Sequence, residues 1–142
     1  FMKRRTIAHT TTVLNDGRMM MLGGFGKGIA STSTDLYDPS LEATHAWSRG
    51  GFLNEGRMSH TTTLLKDGRI LAVGGTGSSG PIDSSEIYDP VSDVWVHVAN
   101  MEGRRSNHTA TLLLDGQVLI VGGNTNTTAL YNPLRDMWQT SP

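Results

Sequence analysis

Three histidines, His9, His60 and His108, stand 51 and then 48 residues apart. Three imidazoles drawn to one point would hold a transition metal such as zinc, and a single imidazole at neutral pH can take up or release a proton. Arg57 and Arg105 each lie three residues before one of these histidines, at a position that Thr6 fills in the first copy. Asp35 and Glu86 each lie two residues before a tyrosine, at a position that Ala129 fills in the third copy. Imidazole, guanidinium and carboxylate side chains gathered in one place would suit general acid–base chemistry. The spacing alone, however, supplies no nucleophile–base pair and no paired carboxylates.

The elements that must position these residues repeat with them. "HTTTVLNDGRMMMLGG", "HTTTLLKDGRILAVGG" and "HTATLLLDGQVLIVGG" follow one pattern from His9, His60 and His108. Each ends in a glycine pair: Gly23-Gly24, Gly74-Gly75 and Gly122-Gly123. Tyr37, Tyr88 and Tyr131 come next, each two residues before a proline, and Trp47, Trp95 and Trp138 close the units. The chain has three tyrosines and three tryptophans in all, so every one of them marks the repeat. Self-similarity at a period near 50 residues indicates an array of supersecondary units.

Each unit reads as four short strands. In the middle copy "HTTTLL" is rich in β-branched residues, and Asp67-Gly68 predicts a two-residue type I′ hairpin. "RILAVGG" is apolar at consecutive positions, which predicts a strand covered on both faces. "SSEIYDP" is a third strand ending at an Asp-Pro turn, and "VWVHVA" alternates as an outer strand can. No segment has helical periodicity. Such a unit is a four-stranded antiparallel sheet that needs a neighbour on each face, and a series of them is a β-propeller. The glycine pairs are read as places of close backbone approach, and the aromatic pairs as apolar contacts between blades.

The histidine start, the glycine pair, the Tyr-x-Pro and the spaced tryptophan resemble kelch repeats over essentially the whole chain, as three units. That resemblance implies an all-β fold, a kelch-type propeller with three four-stranded antiparallel blades, the innermost strand of each lining a central channel. The blades are expected at about residues 2–50, 53–99 and 101–140, all in one domain. Equivalent positions in neighbouring blades diverge around a ring, so the three histidines are read as strand-start residues and not as a metal site.

Kelch rings generally close with five to seven blades, so three leave two open faces. At about 25 cal/mol per Å², an open face of roughly several hundred Å² forgoes on the order of 10 kcal/mol of burial. A patch of that size marks an interface. Two arrangements answer it: two chains paired head-to-tail into a six-bladed homodimeric ring, or the remaining blades of a longer chain. The three units look whole, although Phe1 ahead of Met2 suggests a displaced start. The charges favour the dimer if the acid of one blade pairs with the arginine of the next, Asp35 with Arg57 and Glu86 with Arg105. The two missing partners, Thr6 and Ala129, would then meet at the same junction.

Ligands are expected at the loops between the second and third strands, where Lys27, Ser79, Asp83, Asn124 and Asn126 are the candidate contacts. These loops suit a protein or glycan, although ordinary surface loops have the same composition. "GGFGKG" lacks the helix and the Lys-Ser/Thr pair of a phosphate loop. Lys3-Arg4-Arg5 aligns with "EGRR" and reads as inter-blade linker. Asn107-His108-Thr109 and Asn126-Thr127-Thr128 match glycosylation sequons.

With 12 basic and 13 acidic residues the formal charge is −1, which argues against nucleic acid or an anionic membrane as the main partner. No apolar run is long enough for a membrane-spanning helix. The absence of cysteine excludes disulfides, thiol nucleophiles and thiolate-held metals. The resemblance also reaches copper oxidases of galactose-oxidase type and a sialic-acid mutarotase. The former need a Cys–Tyr cross-link, impossible here. The latter would draw on His9, His60, His108, Arg57 or Arg105. The reading is therefore a non-enzymatic binding or scaffold propeller without cofactor or metal.

Overall fold

The computed structural model describes residues 6–141. The Lys3-Arg4-Arg5 run, the first residues of the expected first blade and Pro142 lie outside the described residues. Strands run in chain order as β1 (Thr10–Val13), β2 (Met19–Leu22), β3 (Phe25–Gly26), β4 (Ile29–Ala30), β5 (Thr34–Tyr37) and β6 (Trp47–Arg49). They continue as β7 (Thr61–Leu64), β8 (Ile70–Val73), β9 (Thr76–Gly77), β10 (Gly80–Pro81), β11 (Ser85–Asp89) and β12 (Val94–Val98). The last four are β13 (His108–Leu112), β14 (Val118–Gly122), β15 (Thr128–Asn132) and β16 (Met137–Ser141).

Three four-stranded antiparallel sheets result, ordered β1-β2-β5-β6, β7-β8-β11-β12 and β13-β14-β15-β16. Each is a blade. Consecutive strands are hydrogen-bonded neighbours apart from two small hairpins, β3-β4 and β9-β10, which fill the loops between second and third strands in the first two blades. The third blade has a shorter loop there and no hairpin. β7 lies against both β1 and β13, which puts the first strands side by side as the inner wall.

The apolar run of β8 explains how blades stack. Ile70 and Ala72 join Leu14, Met20, Leu22, Leu36, Leu53, Tyr88 and Trp95 in the core between blades one and two. Leu71 and Val73 point the other way, into the core of Leu65, Ile87, Met101, Val118, Ile120, Ala129 and Tyr131 between blades two and three. A strand apolar at every position is covered on both sides because each face meets a different blade.

Within each blade the tyrosine packs on the tryptophan of the next strand, with ring centroids 5.1, 5.1 and 4.8 Å apart. The inner hairpin differs from the expected type I′ turn. Gly68 N donates to Leu65 O at 3.0 Å and Leu65 N to Arg69 O at 2.8 Å, with positive φ at Gly68 alone of the turn residues. That is a three-residue loop closed by a left-handed glycine. The Asp67 carboxylate stabilises it by accepting from the Arg69 backbone and guanidinium.

Candidate functional site

The arginines ahead of the histidines sit at the seams between blades, and each works in two directions. The backbone carbonyl of Arg57 accepts from Gly24 N of blade one at 2.8 Å, and that of Arg105 from Gly75 N of blade two at 2.8 Å. The Arg57 side chain turns back into its own blade. It donates to Gly74 O, Ser84 O and Ser84 Oγ, and its Nη2 meets Glu86 Oε1 at 2.9 Å. Arg105 does likewise, donating to Gly122 O, Thr127 O and Thr127 Oγ1, with no acid because Ala129 stands where Glu86 would.

This corrects the expected inter-blade pairing. Arg57 pairs with Glu86, not with Asp35, and Arg105 pairs with no carboxylate. Asp35 stands opposite Arg49 across β5 and β6 instead. The physical reason is reach: the guanidinium lies over the end of its own second and third strands, whose free carbonyls it satisfies. The joint absence of Thr6 and Ala129 as partners therefore says nothing about a shared junction.

Glu86 is fully buried. Burial works to raise its pKa, but the Asn54 backbone and side chain, the Arg57 charge and the Glu55 N–H outweigh it and hold the carboxyl below its usual range. Asn54 N and Nδ2 both reach Oε2 at 2.8 Å, and Glu55 N reaches Oε1 at 3.0 Å. The carboxylate thus fastens the linker between blades to the third strand. A buried ion pair costs desolvation, which these extra bonds offset.

The histidines link inner strands. His60 Nε2 and Thr10 Oγ1 are 2.8 Å apart, and His108 Nε2 and Thr61 Oγ1 are 2.9 Å apart, each bond crossing from one blade to the next. Burial, with Arg57 and the other histidines adding repulsion, pushes His60 down to about 3. Burial and Arg105 push His108 down to about 4. Both rings are therefore neutral at pH 7. His9 is exposed. Among the described residues no group of three or more His, Asp or Glu side chains is placed to hold a metal ion.

The first two glycine pairs sit where blades touch. A Cβ on Gly23 would lie 2.5 Å from Arg57 O and 2.8 Å from His60 Cε1, and one on Gly74 would lie 2.6 Å from Arg105 O. All three pairs have positive φ.

A second seam contact has no counterpart among the residues singled out in the sequence. Asp93 Oδ1 accepts from Tyr88 OH at 2.6 Å and from Gly51 N, behind blade one, at 2.7 Å. Asp136 Oδ1 accepts from Tyr131 OH and from Ala99 N, behind blade two, both at 2.8 Å. The signal was visible as an aspartate two residues before Trp95 and Trp138.

The open groups lie on the face that carries the linkers and the loops between second and third strands. A cleft of about 180 Å³ opens between the β9-β10 hairpin and the linker into blade three, lined by Glu55, Ser78, Ser79, Ile82, Asp83 and Arg104. Among the described residues the side chains of Ser79, Asp83 and Arg104 make no internal hydrogen bond. Ser79 and Asp83 thus meet at one cleft. Lys27 stands apart on the tip of β3-β4, exposed and at positive φ. Asn124 donates to Ser106 Oγ at 3.3 Å, and Asn126 is exposed in the short loop of blade three.

Comparison with known proteins gives a kelch motif at residues 57–102, the span from Arg57 across blade two. The chain is 33% identical over 97 residues to a kelch repeat and BTB domain-containing protein of Caenorhabditis elegans, a match covering 66% of this chain and 16% of that protein. The chain thus spans about a sixth of the length of this relative. A solved structure of YjhT superposes with a TM-score of 0.81 at 14% identity, over 100% of this chain and 53% of that one. A copper-bound fungal alcohol oxidase of the AA5 family superposes with a TM-score of 0.68 at 19% identity, over 94% and 30%. These two show the fold, and the second shows that some proteins with it are enzymes.

Proposed function

We propose that this chain, a member of the kelch-repeat β-propeller family, is a non-enzymatic binding module that takes a protein segment in the cleft between the β9-β10 hairpin and Arg104. One observation carries the reading. The buried acid–base candidates, His60, His108, Arg57, Arg105 and Glu86, are held by hydrogen bonds within or between blades, and the exposed His9 stands apart from them on the outer side of blade one. In the cleft, by contrast, the side chains of Ser79, Asp83 and Arg104 have no internal hydrogen-bond partner among the described residues. Asp83 and Glu55 stand in the cleft with Arg104, so both signs of charge are offered to a partner over a short distance. Serine and glycine between them leave backbone groups approachable, which suits an extended peptide.

A peptide array and a glycan array probed with the purified chain test this. Peptide binding that Asp83→Lys and Arg104→Glu abolish, with the circular dichroism spectrum unchanged, is the expected result. Binding confined to glycans, or turnover of a sugar or alcohol by the chain, would overturn it.

A further inference from the structure

We propose that the pocket between the inner hairpins of blades two and three seats a lysine or arginine side chain from a basic segment of a partner protein. The stem lies on Leu65, Pro133 and Leu134, and the charge meets Asp115. This surface is separate from the cleft above and does not depend on it.

Strand direction alternates across each blade, so the inner hairpin and the turn between third and fourth strands share one end. The linkers and the loops between second and third strands share the other. The cleft at Asp83 is therefore at one end of the seam and this pocket at the other. It measures about 180 Å³ and lies between Leu65 and Lys66 of blade two and Asp115, Gly116, Pro133 and Leu134 of blade three. Both walls belong to an internal seam.

The pocket has an apolar side. Leu65 belongs to the buried core between blades two and three and closes the floor. Leu134 stands beside it, 91% exposed. Val91, the equivalent residue of blade two, is 94% exposed although that blade has a neighbour on each side. The exposure thus comes from the turn itself and not from an end of the chain. Gly116 puts no side chain over the opening. The Lys66 ammonium is engaged by the Leu114 carbonyl.

One difference among the repeats sets the charge. Asp16 and Asp67 each accept from the backbone and guanidinium of the arginine two residues on, and each forms an ion pair with it at 2.8 Å. In blade three Gln117 takes the arginine's place. It donates N to Asp115 Oδ1 at 2.9 Å and Nε2 to Oδ2 at 2.7 Å, so the turn keeps its bonds. The counter-charge is gone. Asp115 is exposed and forms no ion pair among the described residues. The two donors of Gln117 hold its carboxyl below the ordinary range, so it is ionised at pH 7. The turns of this end, residues 14–18, 38–46, 65–69, 89–93, 113–117 and 132–136, carry eight of the chain's 13 acidic residues and four of its 12 basic ones.

A long side chain with an apolar stem and a cationic tip fits both features at once. An acidic segment would be repelled, and a neutral apolar one would leave the Asp115 charge uncompensated. The acidic field of this end draws basic segments toward the pocket.

Fluorescence anisotropy of a labelled lysine–leucine peptide with the full chain is the test, beside a glutamate–leucine peptide of the same length. The first should bind, more weakly as salt is added, and the second should not. Gln117→Arg rebuilds the ion pair of the other two blades and should weaken binding about three- to fivefold without lowering the unfolding midpoint. Leu134→Ser should weaken it by a similar factor, and Asp83→Lys at the opposite end should leave it unchanged. No binding, equal binding of the two peptides, or binding untouched by both Gln117→Arg and Leu134→Ser would overturn the proposal. Capture in the cleft can fail with this pocket intact, because Asp83→Lys and Gln117→Arg report on separate surfaces.

Discussion

Arg57 and Glu86 meet inside one blade, Nη2 to Oε1 at 2.9 Å, with both side chains fully buried. The arginine carbonyl holds the glycine pair of the blade before it, while its guanidinium holds the carboxylate of its own. Blade stacking and blade closure are thereby joined in one residue. Glu86→Gln leaves a buried guanidinium without its counter-charge, and the expected loss is about 3 kcal/mol. Asp35→Asn is expected to cost no more than about 0.5 kcal/mol, since Asp35 is half-buried and forms no ion pair among the described residues. Urea unfolding of the two variants checks this. Equal losses would restore the inter-blade pairing that Arg57 was expected to make with Asp35.

Mild acid should weaken the fold through its buried histidines. His60 and His108 have pKa values lowered to about 3 and about 4. The unfolded chain therefore takes up protons that the folded chain refuses once pH drops below about 6.5, the ordinary histidine value. Their contribution is complete above that pH and is lost as pH falls toward the folded values. The steepest slope is about 1.4 kcal/mol per pH unit for each ring. Melting temperatures between pH 7 and pH 5 should fall, and His108→Gln should flatten the fall. A pH-independent melting temperature over that range would contradict the neutral buried rings.

Glycine substitutions read out the seams. Gly74→Ala forces a Cβ to 2.6 Å from Arg105 O and keeps a left-handed φ, so a loss above about 2 kcal/mol is expected. Gly122→Ala carries the φ strain, about 1–2 kcal/mol, and no clash within one chain. Denaturant melts of the two variants check this, and equal losses would contradict the close approach at Gly74.

The aspartate clasp is predicted to matter at the internal seams. Asp136→Ala removes the acceptor of Tyr131 OH and Ala99 N, and a loss of about 1–3 kcal/mol is expected from two unpaired groups. Tyr131→Phe together with Asp136→Ala should cost less than the sum of the two singles, a double-mutant cycle with measurable coupling. Additive losses would show that the two residues act independently.

Much of the fold was legible because it is written three times. The consecutive apolar residues of β8 and the recurrence of one Tyr and one Trp in every unit pointed to sheets stacked face to face. The hairpin between β7 and β8 was placed correctly, but its conformation was not. Asp67-Gly68 fits both a two-residue and a three-residue loop, and the Leu65–Arg69 bond decides between them. The Arg57 partner was misread for a geometric reason. Position along the repeat tells which residue types recur at a seam, but not whether a long side chain bends forward to the next blade or back over its own. The cleft at Ser79 and Asp83 was visible only as polar loop composition, because Arg104 arrives from a different blade. The clasp of Asp93 and Asp136 went unread although its spacing from tryptophan was regular.

β8 is sealed along its whole length, by blade one on one face and blade three on the other. Its amides can reach water only after both neighbours have let go. Fraying that starts at either end of the chain stops at this strand, so the last protons to exchange with solvent in a deuterium experiment should be those of Leu71 and Ala72. The middle blade is then the unit whose opening is the opening of the whole chain, and the outer blades set how often partial openings occur.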